Sequence, residues 1–159
     1  MLTKLEQKYD YKELLKVCDS LIKKHNQIHI SSIDGKTYWY ESGDLNKYNL
    51  DQTDFVNVNT FFKGTYVETV YKELDKCYNI CRGRFMTLSS ENRAYSYHLD
   101  RTKRIHIPLR TNEDCMFIVE DNVYKMPELG QAYMLDTTNK HTALNLSWEN
   151  RVHAVFCLK

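Results

Sequence analysis

Proline and glycine are scarce, at 2 and 5 of 159 residues, which excludes a collagen-like or low-complexity chain. No apolar run approaches the roughly 18–20 residues that span a bilayer, so a transmembrane helix is excluded. The N-terminal run, residues 1–16, has neither an apolar core nor a small-residue cleavage site. It does not read as a secretory signal, and a cytoplasmic location is expected. Net charge is almost absent, +1 from 22 basic and 21 acidic residues. That balance removes the basic excess of a nucleic-acid-binding chain. The cysteines form no disulfide framework either: there are five, an odd set without a CxxC unit, expected as reduced thiols. Cys77 and Cys81, four apart, are expected on one helix face.

What is present suits one globular domain, with 42% hydrophobic and 27% charged residues. The expected organisation is a helical support region with a hairpin over residues 1–80, and a β-barrel core over 81–159. Leu14, Leu15, Cys18, Leu21 and Ile22 predict an amphipathic helix over Tyr11–His25, and Val67, Val70, Tyr71 and Leu74 one over Thr65–Tyr78. Asp34-Gly35 between Ile28–Ile33 and Thr37–Tyr40 predicts a hairpin, and polar Gly43–Asp54 a loop. From Arg84 onward the period becomes two. Arg84–Leu88, Tyr95–Asp100, Arg104–Leu109, Met116–Glu120, Asn122–Met126, Gln131–Leu135, His141–Leu146 and Arg151–Leu158 read as strands. Such a series after two helices predicts a mainly β fold, a double-stranded β-helix (jelly-roll, cupin-like) barrel.

Six of the seven arginines lie between Arg82 and Arg110, and the seventh is Arg151. Arginine is the better fork for carboxylates, so this segregation points to an anionic ligand near the second half. His98 and Asp100, two apart on a strand, project to one face. With His141 opening a late strand they make two imidazoles and a carboxylate, a facial set that leaves positions open on ferrous iron. Arg151, ten residues after His141, starts the last strand across a short turn and is placed to grip a distal carboxylate. Arg104 and His106 share one face of their strand while Ile105, Ile107 and Leu109 fill the other. Asn145, on the His141 face, is a candidate substrate contact, as is Arg110. His153 reads as a packed core histidine, and Trp148 as a lid or packing residue.

Residues 95–112 (YSYHLDRTKRIHIPLRTN), 136–145 (DTTNKHTALN) and 150–153 (NRVH) together resemble the iron(II)/2-oxoglutarate-dependent oxygenases, specifically the aspartyl/asparaginyl β-hydroxylase-like branch. The resemblance covers about positions 84–158. It implies His98, Asp100 and His141 as iron ligands, Arg151 as the anchor of the 2-oxoglutarate C5 carboxylate, and Arg104 and His106 as further cosubstrate contacts. It also implies the cofactor set of Fe(2+), 2-oxoglutarate and O2, with hydroxylation of a C–H bond and release of succinate and CO2. Asp100 stands where the vertebrate enzyme of that branch has glycine; the related free-proline hydroxylases keep the carboxylate.

The expected substrate is small and carries a carboxylate, an amino acid or a peptide residue, since nearly all of the length is spent on the barrel and its helices and the near-neutral charge argues against a nucleic acid; no membrane partner is expected either. Arg93, Arg101 and Arg110 would then form a cationic rim. The competing reading is a non-catalytic jelly-roll sensor binding the metal or 2-oxoglutarate.

Overall fold

The computed structural model describes residues 1–22, 25–38 and 44–159. Its first element is one that the hydrophobic pattern did not announce: β1 (Leu2–Lys8). It carries only Leu2 and Leu5 among charged and polar neighbours, the composition of a protected edge strand. Three residues apart on a strand, these leucines face opposite sides and serve two different cores. The helix α1 (Tyr11–Ile22) follows, opened by Asp10, whose carboxylate accepts from the amides of Lys12 and Glu13. Short strands β2 (Gln27–His29) and β3 (Ser31–Ser32) come next, then α2 (Asp44–Lys47) and β4 (Asn57–Val58). The helix α3 (Tyr66–Tyr78) ends at Asn79, whose left-handed backbone (φ 51°) returns its N–H to Asp75.

The remaining elements are strands: β5 (Ile80–Leu88), β6 (Arg104–Arg110), β7 (Cys115–Val119), β8 (Asn122–Tyr124), β9 (Gln131–Leu135), β10 (His141–Asn145) and β11 (Arg151–Leu158). A six-stranded antiparallel sheet runs β1-β9-β6-β11-β5-β2, and a three-stranded sheet β10-β7-β8 faces it. The large sheet is covered on both faces, so β5 and β11 are buried almost throughout. One face packs Ile105, Ile107, Leu109, Val152, Ala154 and Phe156 against Leu14 of α1 and Val70 and Leu74 of α3. Between the sheets lies a second, smaller core of Leu88, Phe117, Val119, Tyr133, Leu135 and Ala143. Two facing antiparallel sheets with helices on one outer face make a jelly-roll barrel, as expected.

Several expectations are corrected. Tyr95–Asp100 is not a strand; its backbone meets β10 through isolated bridges, Ala94 to Leu144 and His98 to His141, and Thr142 Oγ1 donates to the Tyr95 carbonyl. Among the described residues the expected hairpin around Asp34-Gly35 forms no ladder of paired strands, and the segment is a turn. The Asp34 carboxylate binds the amides of Lys36 and Thr37, while β3 pairs with β4 and β2 with β5. Residues 39 and 40 of that hairpin, and Gly43 of the expected loop, lie outside the described residues. The rest of that loop contains α2 and a 3-10 turn at Gln52–Asp54. Cys77 and Cys81 share no helix face: Cys77 is exposed on α3 and Cys81 is buried in β5. Among the described residues, no helix is long and apolar enough to cross a membrane.

Candidate metal centre

The parity of β6 and β11 builds the floor of a chamber between the sheets. Side chains on the helix side fill the larger core. Those one residue away, Arg104, His106, Arg151 and Val155, turn inward. The opposite wall is Phe117 from β7 and His141 and Ala143 from β10. His98 and Asp100 reach this chamber from the connection between β5 and β6. His98 exchanges backbone hydrogen bonds with His141 (3.0 and 2.7 Å), and the Asp100 amide donates to the Thr137 carbonyl at 2.8 Å.

His98, Asp100 and His141 offer ligand atoms that all lie within 4.8 Å of one another. The Nδ1 atoms of His98 and His141 sit 2.6 and 3.0 Å from the carbonyls of Ser96 and Asn139. A carbonyl only accepts, so in the neutral rings each Nδ1 carries the proton and each Nε2 presents a lone pair. Both lone pairs face Asp100: His98 Nε2 is 3.6 Å from Oδ1 and His141 Nε2 is 3.3 Å from Oδ2. Oδ2 is buried without a hydrogen-bond partner. Two lone pairs and a carboxylate facing each other are repulsive unless a cation sits among them. The backbone carbonyls supply the outer hydrogen bonds that orient metal-bound histidines. Two nitrogens and one oxygen on one side suit iron(II) with open positions. Burial pushes the Asp100 carboxyl upward, but its charged surroundings, the Arg104 guanidinium among them, hold it below the usual carboxylate range. Arg104 Nη2 pairs with Oδ1 at 2.5 Å.

Two cavities meet at this cluster. The outer one, about 450 Å³, opens beside His98 and Asp100 and is lined further by Arg82, Arg84 and Arg101. The inner one, about 20 Å³, holds His141, Arg151, His106 and Phe117. That is space for about one water. Met86, Tyr95, His98 and Arg104 line both and so form the partition. Arg151 is 2% exposed, and its guanidinium lies 4.6 Å over the Phe117 ring and 3.0 Å from His153 Nδ1. Among the described residues no carboxylate pairs with it. Burial lowers its pKa to about 10. His106 and His153 are kept neutral, held well below the ordinary range by burial and then by Arg151.

The structure thus brings together His98, Asp100, His141, Arg104, His106 and Arg151. It does not bring Asn145 or Arg110 to them. The Asn145 amide donates to the carbonyls of Leu88 and Glu149 while its oxygen accepts from Ser147. It ties the β10–β11 turn to β5 and lines neither cavity. Arg110 pairs with Asp19 of α1 at 2.8 Å and lines a separate cleft beside Tyr11. Of the expected rim, Arg93 stacks on Trp148, which is 83% exposed, and only Arg101 lines the outer cavity. Arg82, Arg84, Met86, Tyr95 and Thr137 were not singled out by their sequence context. Alternation of Arg82 and Arg84 about Gly83 was the available signal for two of them.

The model of one protein family, aspartyl/asparaginyl beta-hydroxylase, matches residues 67–158, more than half of the chain. No curated protein matches the sequence. Among solved structures, an oxidoreductase of the 2OG-Fe(II) oxygenase family from Burkholderia pseudomallei is 16% identical with a TM-score of 0.57, covering 98% of this chain and 84% of that one. IDO from Bacillus thuringiensis is 10% identical (TM-score 0.49), covering 94% of this chain and 84% of its own. A cupin domain from Bordetella pertussis is 12% identical (TM-score 0.43), covering 49% of this chain and 80% of its own. At such identities the first of these likenesses speaks to the fold alone.

Proposed function

Since the chain belongs to the aspartyl/asparaginyl beta-hydroxylase family, we propose that it is an iron(II)- and 2-oxoglutarate-dependent hydroxylase of a small substrate bearing a carboxylate, such as an amino acid or a peptide residue. The observation that carries this reading is the convergence of His98, Asp100 and His141 within 4.8 Å beside a buried, carboxylate-free Arg151. When bound, iron(II) and 2-oxoglutarate supply the activation of dioxygen that hydroxylates a C–H bond, with release of succinate and CO2.

The chain's own part is binding, orientation and exclusion of water. His98, Asp100 and His141 would hold the metal, with Nε2 of the two histidines kept free by the Ser96 and Asn139 carbonyls. Arg151 takes the far carboxylate of 2-oxoglutarate as a fork, from a site too dry for water to compete. Arg104 balances the Asp100 charge and, with neutral His106, lines the route between metal and anchor. An inner cavity of about 20 Å³ admits 2-oxoglutarate only if the partition yields. Met86, unbranched and shared by both cavities, is the side chain suited to moving. Phe117, Ala143 and Val155 close the remaining walls with apolar surface. The outer cavity of about 450 Å³ has the size of a small-molecule site and receives the substrate. The five free cysteines suit a reducing compartment, in keeping with a cytoplasmic location.

The test is a succinate-release screen of anaerobically iron-loaded protein against amino acids, peptides and nucleosides. Succinate formation stimulated by an amino acid or peptide is expected. Binding of iron and 2-oxoglutarate without succinate under any condition would instead make the chain a sensor.

A further inference from the structure

Arg82 and Arg84 lie outside the proposed metal and cosubstrate sites, yet both line the outer cavity that His98 and Asp100 share. Arg84 is 3% exposed. Among the described residues its side-chain partners are weak and neutral: Gln27 Oε1 at 3.4 Å and Cys157 Sγ at 3.8 Å. The Nε atoms of both Arg82 and Arg84 are buried without a hydrogen-bond partner. Among the described residues, no carboxylate pairs with either guanidinium, whereas the nearby Arg104 is matched by Asp100. A buried, unmatched cation is among the least favourable things a fold can carry without a ligand.

The backbone is shaped to hold both cations on this side. Opposite Arg82–Gly83 the β5–β11 register slips between Val155 and Cys157, a bulge, and Arg82 adopts a left-handed φ of 44°. Gly83 faces the other way, onto Phe156, where an added Cβ would come within 2.9 Å of the ring. Arg82 and Arg84 therefore flank a glycine packed to the helix-side core and point together into the cavity. Burial, and then the neighbouring Arg84, lower the Arg82 pKa to about 8.

We propose that Arg82 and Arg84 are the substrate-anion clamp of the outer cavity, taking the two carboxylates of an acidic, dicarboxylic substrate and holding it in front of His98, Asp100 and His141. Two guanidiniums left over after Arg104 is neutralised call for two negative charges rather than one. Naming the bound anion as substrate rests on the hydroxylase reading, whereas the anion site itself does not.

The experiment is calorimetric titration of N-acetyl-L-aspartate into the metal-free full-length protein, as wild type, Arg84→Gln, Arg82→Gln/Arg84→Gln and Arg151→Gln. Its neutral diamide and inorganic phosphate serve as further probes. At least a tenfold loss in Arg84→Gln, no measurable binding in the double variant, and near-wild-type binding in Arg151→Gln are expected, with no binding of the diamide. Unchanged binding in the double variant, or phosphate binding more tightly than the dicarboxylate, would overturn the assignment. Thermal unfolding of each variant reports folding, and Arg82→Gln alone, at a partly exposed position, should still weaken binding if Arg84→Gln does not fold. A parallel 2-oxoglutarate titration of the Mn(II)-loaded proteins separates the two sites. It should be unaffected in the double variant, and its loss there with full affinity in Arg151→Gln would make Arg82 and Arg84 the cosubstrate anchor instead. Failure of the hydroxylase reading would appear in the Mn(II) arm of wild type, leaving the metal-free result intact.

Discussion

Replacing Arg151 by methionine removes the charge but keeps a long, flexible side chain over Phe117. Burial lowers the Arg151 pKa to about 10, well under the ordinary arginine value. At neutral pH the group is still charged, so the folded state bears the whole penalty, about 3 kcal/mol at 1.36 kcal/mol per unit. Against this stand the stacking on Phe117, about 1 kcal/mol, and the hydrogen bond to His153 Nδ1, about 1 kcal/mol. The metal- and ligand-free variant is therefore expected to be more stable by about 1 kcal/mol, a rise in Tm of roughly 2–4 °C for a chain of this size. The same change removes a charge-assisted fork from a dry site, so 2-oxoglutarate affinity should fall by about 2–4 kcal/mol, roughly 30- to 1000-fold. Thermal unfolding and a 2-oxoglutarate titration of the Mn(II)-loaded protein read the two effects separately. A fall in Tm of several degrees with unchanged 2-oxoglutarate affinity would show that Arg151 is a structural cation and refute the reasoning.

Acid should destabilise the fold early. His29, His106 and His153 are all held well below the ordinary 6.5, chiefly by burial, so the unfolded chain binds protons that the folded one refuses. Stability is then lost as pH falls through about 6.5, by roughly 1.4 kcal/mol per histidine at one unit below, about 4 kcal/mol together. Urea midpoints at pH 7.5 and 5.5 check this, and equal midpoints would contradict it. Asn145→Ala leaves the Leu88 and Glu149 carbonyls without their donor and should cost about 2–4 kcal/mol in unfolding free energy, with metal affinity of the folded protein unchanged. Arg110→Ala breaks only a half-exposed pair with Asp19, so stability should move by no more than about 1 kcal/mol and 2-oxoglutarate affinity not at all.

Where burial and alternation agree, the chain states its own fold. In β6 the isoleucines and Leu109 go to the helices while Arg104 and His106 turn to the chamber, and β11 repeats the pattern with Val152, Ala154 and Phe156 against Arg151 and Val155. The convergence of His98 and Asp100 was legible too, but for a different reason from the one the spacing suggested. No strand carries them; the His98–His141 bridge and the Asp100–Thr137 hydrogen bond place them. β1 escaped notice because an edge strand needs few apolar residues, and its partner β9 lies more than a hundred residues away. Asn145 reads as a site residue because it shares the His141 face, and Arg110 because it belongs to the arginine excess expected to rim the site. Asn145 instead satisfies the β10–β11 turn, and Arg110 meets a helix that sequence alone does not bring near. Whether a buried arginine has a carboxylate partner is likewise a fact of packing, which is why Arg82 and Arg84 stood out only in three dimensions.

Metal binding at His98, Asp100 and His141 tests the account most directly. Anaerobic calorimetric titration of Fe(II), or of Mn(II) as its redox-inert stand-in, should give one site per chain in wild type. Asp100→Ala and His141→Ala should each bind at least about tenfold more weakly, while Arg110→Ala binds as wild type. Equal affinity in wild type and His141→Ala, with both proteins folded, would contradict it.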